Sequence, residues 1–242
     1  MNRKKPEEKG KRRSRREDES IEEKLEREIA EKTKMLSDWV PKTQLGKLVK
    51  AEKITTIDEV FEKGYKIKEP EIVDALLKLN DEVVDTAKTT RVVRAGRKFS
   101  FRVTVLVGNN DGYIGVGTGK DIDRFPAINK AKRAAKLNLV KIYRGSGSWE
   151  EQPTEDKHSV PFKVIGKSGS VRVMLMPAPK GTGLAVGQNI RRVMELAGIQ
   201  NIWGKARGNS ANKLNFVCAA VDALAQTSKA RATKDIERKL GK

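Results

Sequence analysis

The chain has 242 residues, with 51 Lys and Arg against 32 Asp and Glu, a formal net charge of +19 and a pI near 10.0. Such an excess calls for a polyanionic partner, nucleic acid or an anionic surface, and the length suits two modest domains plus tails. One cysteine, Cys218, excludes an internal disulfide framework, and one histidine, His158, leaves too few ligands for a Cys/His zinc site.

No metal and no cofactor is expected. The longest apolar runs, such as Val103–Val107, fall far short of the roughly 20 residues that span a bilayer. The amino terminus MNRKKPEEKGKRRSRRED has the charge but not the apolar stretch of a secretory signal. A cytoplasmic protein without a membrane partner is the expectation.

Residues 1–34 carry 13 basic and 10 acidic side chains and read as an arm without its own core. Residues 35–85 carry 8 basic and 11 acidic groups, and Glu71–Leu79 reads as a short helix introduced by Pro70. Residues 86–147 hold 14 basic and three acidic groups, the strongest bias in the chain.

Within that block Thr89–Arg94 reads as a strand, Ala95-Gly96-Arg97 as a tight turn, and Lys98–Val107 as a half-buried strand. Phe99, Phe101, Val103, Val105 and Val107 share one side of it, so both aromatic rings are expected in the core rather than stacked on bases. Asn109-Asn-Asp-Gly112 is a turn signal, and Tyr113–Gly119 continues as the second strand of a hairpin. Phe125 to Tyr143 shows helical spacing, with Ile128, Ala131, Ala135, Leu139 and Ile142 toward the core. Lys132, Arg133 and Lys136 lie on a flank, and Lys141 and Arg144 follow at the carboxyl end, placed to meet phosphates of a duplex groove.

Farther on, Phe162–Gly166 and Ser170–Met176 read as strands, Pro177–Gly183 as a loop, Gln188–Leu196 as a helix, Ile199–Ala206 as a strand and Asn212–Gln226 as an amphipathic helix. Cys218 is read as a small core residue, since no base accompanies it. His158 is read as a loop or strand-leading residue. The glycine motifs fail as enzyme signatures. Gly166-Lys-Ser168 lacks the first Walker glycine because Pro161 stands there, and Gly181-x-Gly183-x-x-x-Gly187 misses the dinucleotide spacing. What remains is a loop before a helix, where Lys180, Arg191 and Arg192 can meet phosphate.

Strand, strand, strand, helix, with Lys132-Arg-Ala-Ala-Lys136 on the helix, resembles a double-stranded-RNA-binding domain and its Lys-Lys-x-Ala-Lys cluster, although Arg94-Ala-Gly-Arg97 replaces the family's Gly-Pro-x-His loop. Three segments together resemble one family, small-subunit ribosomal protein five in its archaeal and eukaryotic form. They are Val93–Phe101 with Val107–Lys120, Pro177–Gly183 with Glu195–Ile199, and Trp39–Lys50.

The resemblance implies an α+β fold: a divergent double-stranded-RNA-binding-type domain at 80–150 and a second βαβα domain at 151–228. An extension at 37–79 precedes them, with charged tails at 1–36 and 229–242. It also implies a non-catalytic structural constituent of the small ribosomal subunit that binds 16S rRNA near the decoding region, where mRNA enters, and contributes to translational accuracy. Implied partners are 16S rRNA, ribosomal proteins four and eight, and mRNA at its channel, with no small-molecule substrate.

The expected rRNA contacts are Arg91, Arg94, Gly96, Arg97, Lys98, Arg102, Lys132, Arg133, Lys136, Lys141, Arg144, Lys180, Arg192, Lys205 and Arg207. Gly181, Gly183 and Arg191 are expected to face protein four. Two other readings compete: a small-molecule kinase using the second domain, since Pro177-x-x-x-Gly181 begins like the ATP loop of the GHMP kinases, and a free-standing duplex-RNA-binding regulator.

Overall fold

The computed structural model describes residues 39–146 and 157–229. The readings of the amino-terminal arm and of residues 230–242 lie outside the described residues.

The described residues open with three short helices, α1 (Gln44–Lys50), α2 (Ile57–Glu62) and α3 (Pro70–Leu76). Thr43 caps α1 by accepting from the Gly46 amide at 3.1 Å. Pro70 opens α3, where its missing N–H costs nothing. The helix stops at Leu76 rather than running to Leu79, because Leu77 turns to an extended backbone.

Four strands follow, β1 (Asn80–Val93), β2 (Gly96–Gly108), β3 (Tyr113–Asp121) and β4 (Leu139–Lys141), in an antiparallel sheet of that order. Helix α4 (Arg124–Leu137) lies across one face, seating Ala127, Ala131 and Ala135 against Val103, Val105 and Val107. Gly115, Gly117 and Gly119 alternate along β3 on that face. A Cβ on any of them would fall 2.2–2.3 Å from α4 backbone atoms, so the glycine-punctuated strand is a seat for the helix.

The expected helix through Tyr143 is cut short: Asn138 ends α4, and Leu139–Lys141 pair with Tyr113–Gly115 as the edge strand. Sheet pairing wins over helical spacing, and Leu139 joins the core formed by Leu45, Val49, Ile57, Val60 and Ile72 of the opening helices. That extension is docked on the sheet by Tyr113, whose ring stacks on Phe61 at 5.8 Å.

The second unit has strands β5 (Val164–Ser168), β6 (Val171–Pro177), β7 (Leu184–Ala185) and β8 (Ile202–Arg207) in the order β5-β6-β8-β7, with β7 parallel to β8. Helices α5 (Gln188–Ala197) and α6 (Lys213–Lys229) pack on one face. The two-residue β7 carries no sequence periodicity and was not expected. Gly166 seats α6 as the β3 glycines seat α4, its Cβ position lying 2.1 Å from the Ala219 carbonyl.

The two units share one core. From Val103 to Gly108 strand β2 is buried on both faces, not one: Leu106, with Val84, Ile114 and Ile142, packs into the cluster of Val193, Leu196, Leu224 and their neighbours. The β2–β3 turn seals the joint. Asn110 and Gly112 amides donate to the Leu196 and Ala197 carbonyls at 3.0 and 3.1 Å, satisfying the end of α5. Arg144 donates to Gly198 O at 3.3 Å and pairs with Asp111.

Candidate nucleic-acid interface

Strand β3 pairs with β2 only from Phe101 to Gly108, whereas β1 and β2 stay paired to Val93 and Gly96. The last pairs therefore form a free-standing two-stranded ribbon. Its tip is Arg94-Ala95, with Gly96 at φ 120°, a conformation that glycine adopts without strain.

Six cations and no acidic residue lie between Thr86 and Asn110: Lys88, Arg91, Arg94, Arg97, Lys98 and Arg102. All six are exposed. Arg91 stands opposite Lys98, Arg97 opposite Val92 and Arg102 opposite Ala87. Arg91, Lys98 and Arg102 share one face, and Arg97 shares the other with Lys88 and Phe99.

The expectation that Phe99 is buried is overturned: it is 48% exposed. The ribbon outruns both β3 and α4, which leaves the ring beside Lys88, whose ammonium lies 4.0 Å from its centroid. Phe101, two pairs closer to the sheet, is half-buried against the cluster that holds Val103 and Ala127.

The structure divides the other candidate cations into two groups. Arg133, Arg191, Lys205 and Arg207 are exposed. Lys132, Lys136, Lys141 and Arg144 are engaged by carboxylates: Lys132 with Asp81 at 2.8 Å, Lys136 with Asp74 at 2.7 Å, Lys141 with Asp58 and Arg144 with Asp111. Arg192 pairs with Glu82 at 3.0 Å and donates to Val83 O at 3.4 Å, holding α5 against β1. Lys132 and Lys136 thus tie α4 to β1 and to α3, work that their spacing on the helix could not reveal.

Asp58 also accepts from the Tyr113 hydroxyl. Burial would raise its carboxyl, but the bonds from Lys141 and Tyr113 outweigh that and hold it below the usual range. Burial, and then the neighbouring Asp58, push the Tyr113 phenol well above its ordinary value.

The Pro177–Gly183 loop turns on its two glycines. Gly181 and Gly183 take positive φ, 84° and 68°, and Gly183 N donates to the Asn201 side chain at 2.9 Å. Lys180, Gly181 and Gly183 line an open cleft of about 690 Å³ together with Lys157, His158, Gln200 and Asn201. His158 is buried, shares a 3.0 Å hydrogen bond with Asn201, and its carbonyl accepts from Gln200 and Asn201. Cys218 is half-buried, and burial raises its thiol pKa, which suits a packed side chain and not a nucleophile.

Sequence reasoning passed over Lys88, Lys167, Arg172 and Trp203, all exposed. The alternation Trp203-x-Lys205-x-Arg207 was the available signal.

The sequence profile described as ribosomal protein S5, N-terminal domain, matches residues 79–143, and that described as ribosomal protein S5, C-terminal domain, matches residues 166–239. The chain belongs to the ribosomal protein S5 family. Three archaeal relatives, each named small ribosomal subunit protein uS5, match over most of both chains. The Methanothermobacter thermautotrophicus protein is 50% identical over 85% of this chain and 95% of its own length. The Pyrobaculum aerophilum protein is 51% identical over 79% and 88%, and that of Thermoplasma acidophilum 47% identical over 84% and 91%.

As a member of the S5 family the chain is a structural, non-enzymatic protein of the small ribosomal subunit. The first S5 profile covers the sheet that carries the ribbon, and the second begins within β5 and runs through α6.

Proposed function

We propose that this protein fixes 16S rRNA near the decoding region through the β1–β2 ribbon, and that it acts in the cytoplasm as part of the small subunit. The ribbon carries the proposal: Arg91, Arg94, Arg97 and Lys98 are exposed on a narrow two-sided element with Lys88 and Arg102 at its root, and no carboxylate lies between Thr86 and Asn110 to compete for them. Phosphate neutralisation with counterion release supplies the affinity. The joint between the two units, sealed by a shared core and by the Asn110 and Gly112 amides, supplies the rigidity that makes binding a positional constraint.

Arg91, Arg94, Arg97, Lys98 and Arg102, with Gly96 at the turn, are the leading contacts. Arg133, Lys205 and Arg207 extend the charged surface. Lys132, Lys136, Lys141, Arg144 and Arg192 shape it from within their ion pairs, and Lys180 contributes from the Pro177–Gly183 loop. That loop, with Gly181, Gly183 and Arg191, is assigned to ribosomal protein four. Contacts with protein eight and with mRNA, and the contribution to translational accuracy, belong to the same reading and follow from the family resemblance alone.

The test is the salt dependence of binding to small-subunit rRNA. Neutralising Arg91, Arg97 and Lys98 to Gln should flatten the slope of log K against log salt by about 2.7, at roughly 0.9 for each phosphate left without its cation. An unchanged slope refutes the assignment.

A further inference from the structure

Among the described residues the sheet β5-β6-β8-β7 is covered on one face only. Val164, Val173, Leu175 and Ile202 enter the core beneath α5 and α6, so the alternate residues of the same strands stand on the opposite face. Strand register sets them in rows. Lys167, Arg172 and Arg207 are direct neighbours across β5, β6 and β8, while Ile165, Met174 and Lys205 form the next row, and Met176 and Trp203 pair in the third.

Trp203 is 43% and Ile165 45% exposed. Among the described residues Lys167, Arg172, Lys205 and Arg207 form no ion pair. The fold gains nothing from this arrangement, because like charges directly opposite on neighbouring strands weaken a sheet and a half-exposed indole leaves apolar area in water.

One class of ligand meets both halves of the surface. A duplex offers phosphates but keeps its base faces inside the stack, and an acidic peptide offers charge without a flat ring to match the indole. Unpaired RNA offers both. The geometry points to a single-stranded RNA segment lying across β6 and β8, its phosphates on the Lys167–Arg172–Arg207 row and one base stacked on Trp203. From Trp203 to Arg207 is four residues of strand, about 13 Å at roughly 3.3 Å each, so the bound segment spans a few nucleotides. This surface is distinct from the ribbon and rests on the RNA-binding reading above.

The test is fluorescence anisotropy of the full chain with a labelled short uridine oligonucleotide and with a labelled RNA hairpin duplex. Trp203→Leu should weaken single-strand binding about 5- to 100-fold, the loss of one base–aromatic stack, with the salt slope unchanged. Trp203→Phe, which keeps a ring, should stay within about threefold. Arg172→Gln with Arg207→Gln should flatten the single-strand slope by about 1.4. Arg91→Gln with Lys98→Gln, on the ribbon, should weaken duplex binding and spare the oligonucleotide.

Parental single-strand binding by both sheet-face variants overturns the inference. If the ribbon variant still loses the duplex, the rRNA reading stands without it; if no variant loses either RNA, both fall. Sheet-face variants that bind RNA normally but lose binding to a poly-glutamate peptide overturn it in favour of an acidic protein partner. The unfolding temperature of each variant distinguishes a weakened RNA surface from an unfolded chain.

Discussion

Gly117→Ala isolates the feature that holds α4 on its sheet. The added Cβ would lie 2.2 Å from Ala135 N, 2.3 Å from Ala131 O and 2.8 Å from Ala134 C. All three are backbone atoms of α4, so no side chain can rotate away and the helix itself must lift from β3. Overpacking of a tight core costs about 1–3 kcal/mol and occasionally more, and a clash made wholly with backbone belongs at the upper end, about 3 kcal/mol. A chain of this size loses roughly 2–4 °C of Tm per kcal/mol, so the expected shift is about 6–12 °C downward. Arg133→Ala, at an exposed position of the same helix, should move Tm by no more than about 2 °C. Thermal unfolding followed by circular dichroism reads both. A Gly117→Ala protein that melts within about 2 °C of the parent would show that α4 does not rest on a bare strand.

Leu106→Ala removes a fully buried side chain from the core that the two units share; it should cost about 2–5 kcal/mol, and calorimetry should still show one transition, whereas two separate transitions would contradict the shared core. Glu69 accepts from the Thr43 and Lys42 amides at 2.6 and 3.0 Å and from the Trp39 indole at 3.0 Å. Burial raises its carboxyl, but those bonds outweigh it and leave the group below its ordinary value of 4.5. A carboxylate depressed in the folded state stabilises fully above that ordinary value and loses its contribution as pH falls through the lower folded value. Acidification below pH 4.5 should therefore release Trp39, seen as a fluorescence change, and Glu69→Gln should show the released signal already at neutral pH; a Gln variant identical to the parent at both pH values refutes the role. Cys218, with its thiol pushed up by burial, should alkylate with iodoacetamide at least about tenfold more slowly at pH 8 than a free cysteine, and equal rates would contradict its packed position.

Much of the architecture was legible because alternation and helical spacing coincide with burial: Val103, Val105 and Val107 in β2, and Ile190, Val193 and Met194 in α5, sit where their periods place them. The errors fall where tertiary contacts outvote local pattern. Leu139 and Ile142 continue a helical spacing yet leave the helix, because β3 lacks an edge partner without residues 139–141. Phe99 follows the alternation of its strand but lies beyond the reach of α4, so the same pattern that buries Val103 exposes it.

For the candidate site, charge density located the ribbon, while the carboxylates that engage Lys132, Lys136, Lys141 and Arg144 lie 33 to 83 residues away in the chain or on other elements. No local pattern reports such pairings. The row Lys167–Arg172–Arg207 escaped for the same reason, since only sheet register brings β5, β6 and β8 side by side.

Incorporation into small subunits of a chain carrying Arg97→Glu, beside one carrying Cys218→Ser, decides whether the ribbon holds the protein on rRNA. Arg97 stands near the tip of the ribbon with its side chain exposed, and Cys218 sits half-buried on α6 away from any expected RNA contact. After a high-salt wash and sedimentation, the Cys218→Ser chain should stay with the subunits at the parental level while the Arg97→Glu chain is depleted by about tenfold or more, a charge reversal against a phosphate. Equal retention of the two chains would contradict it.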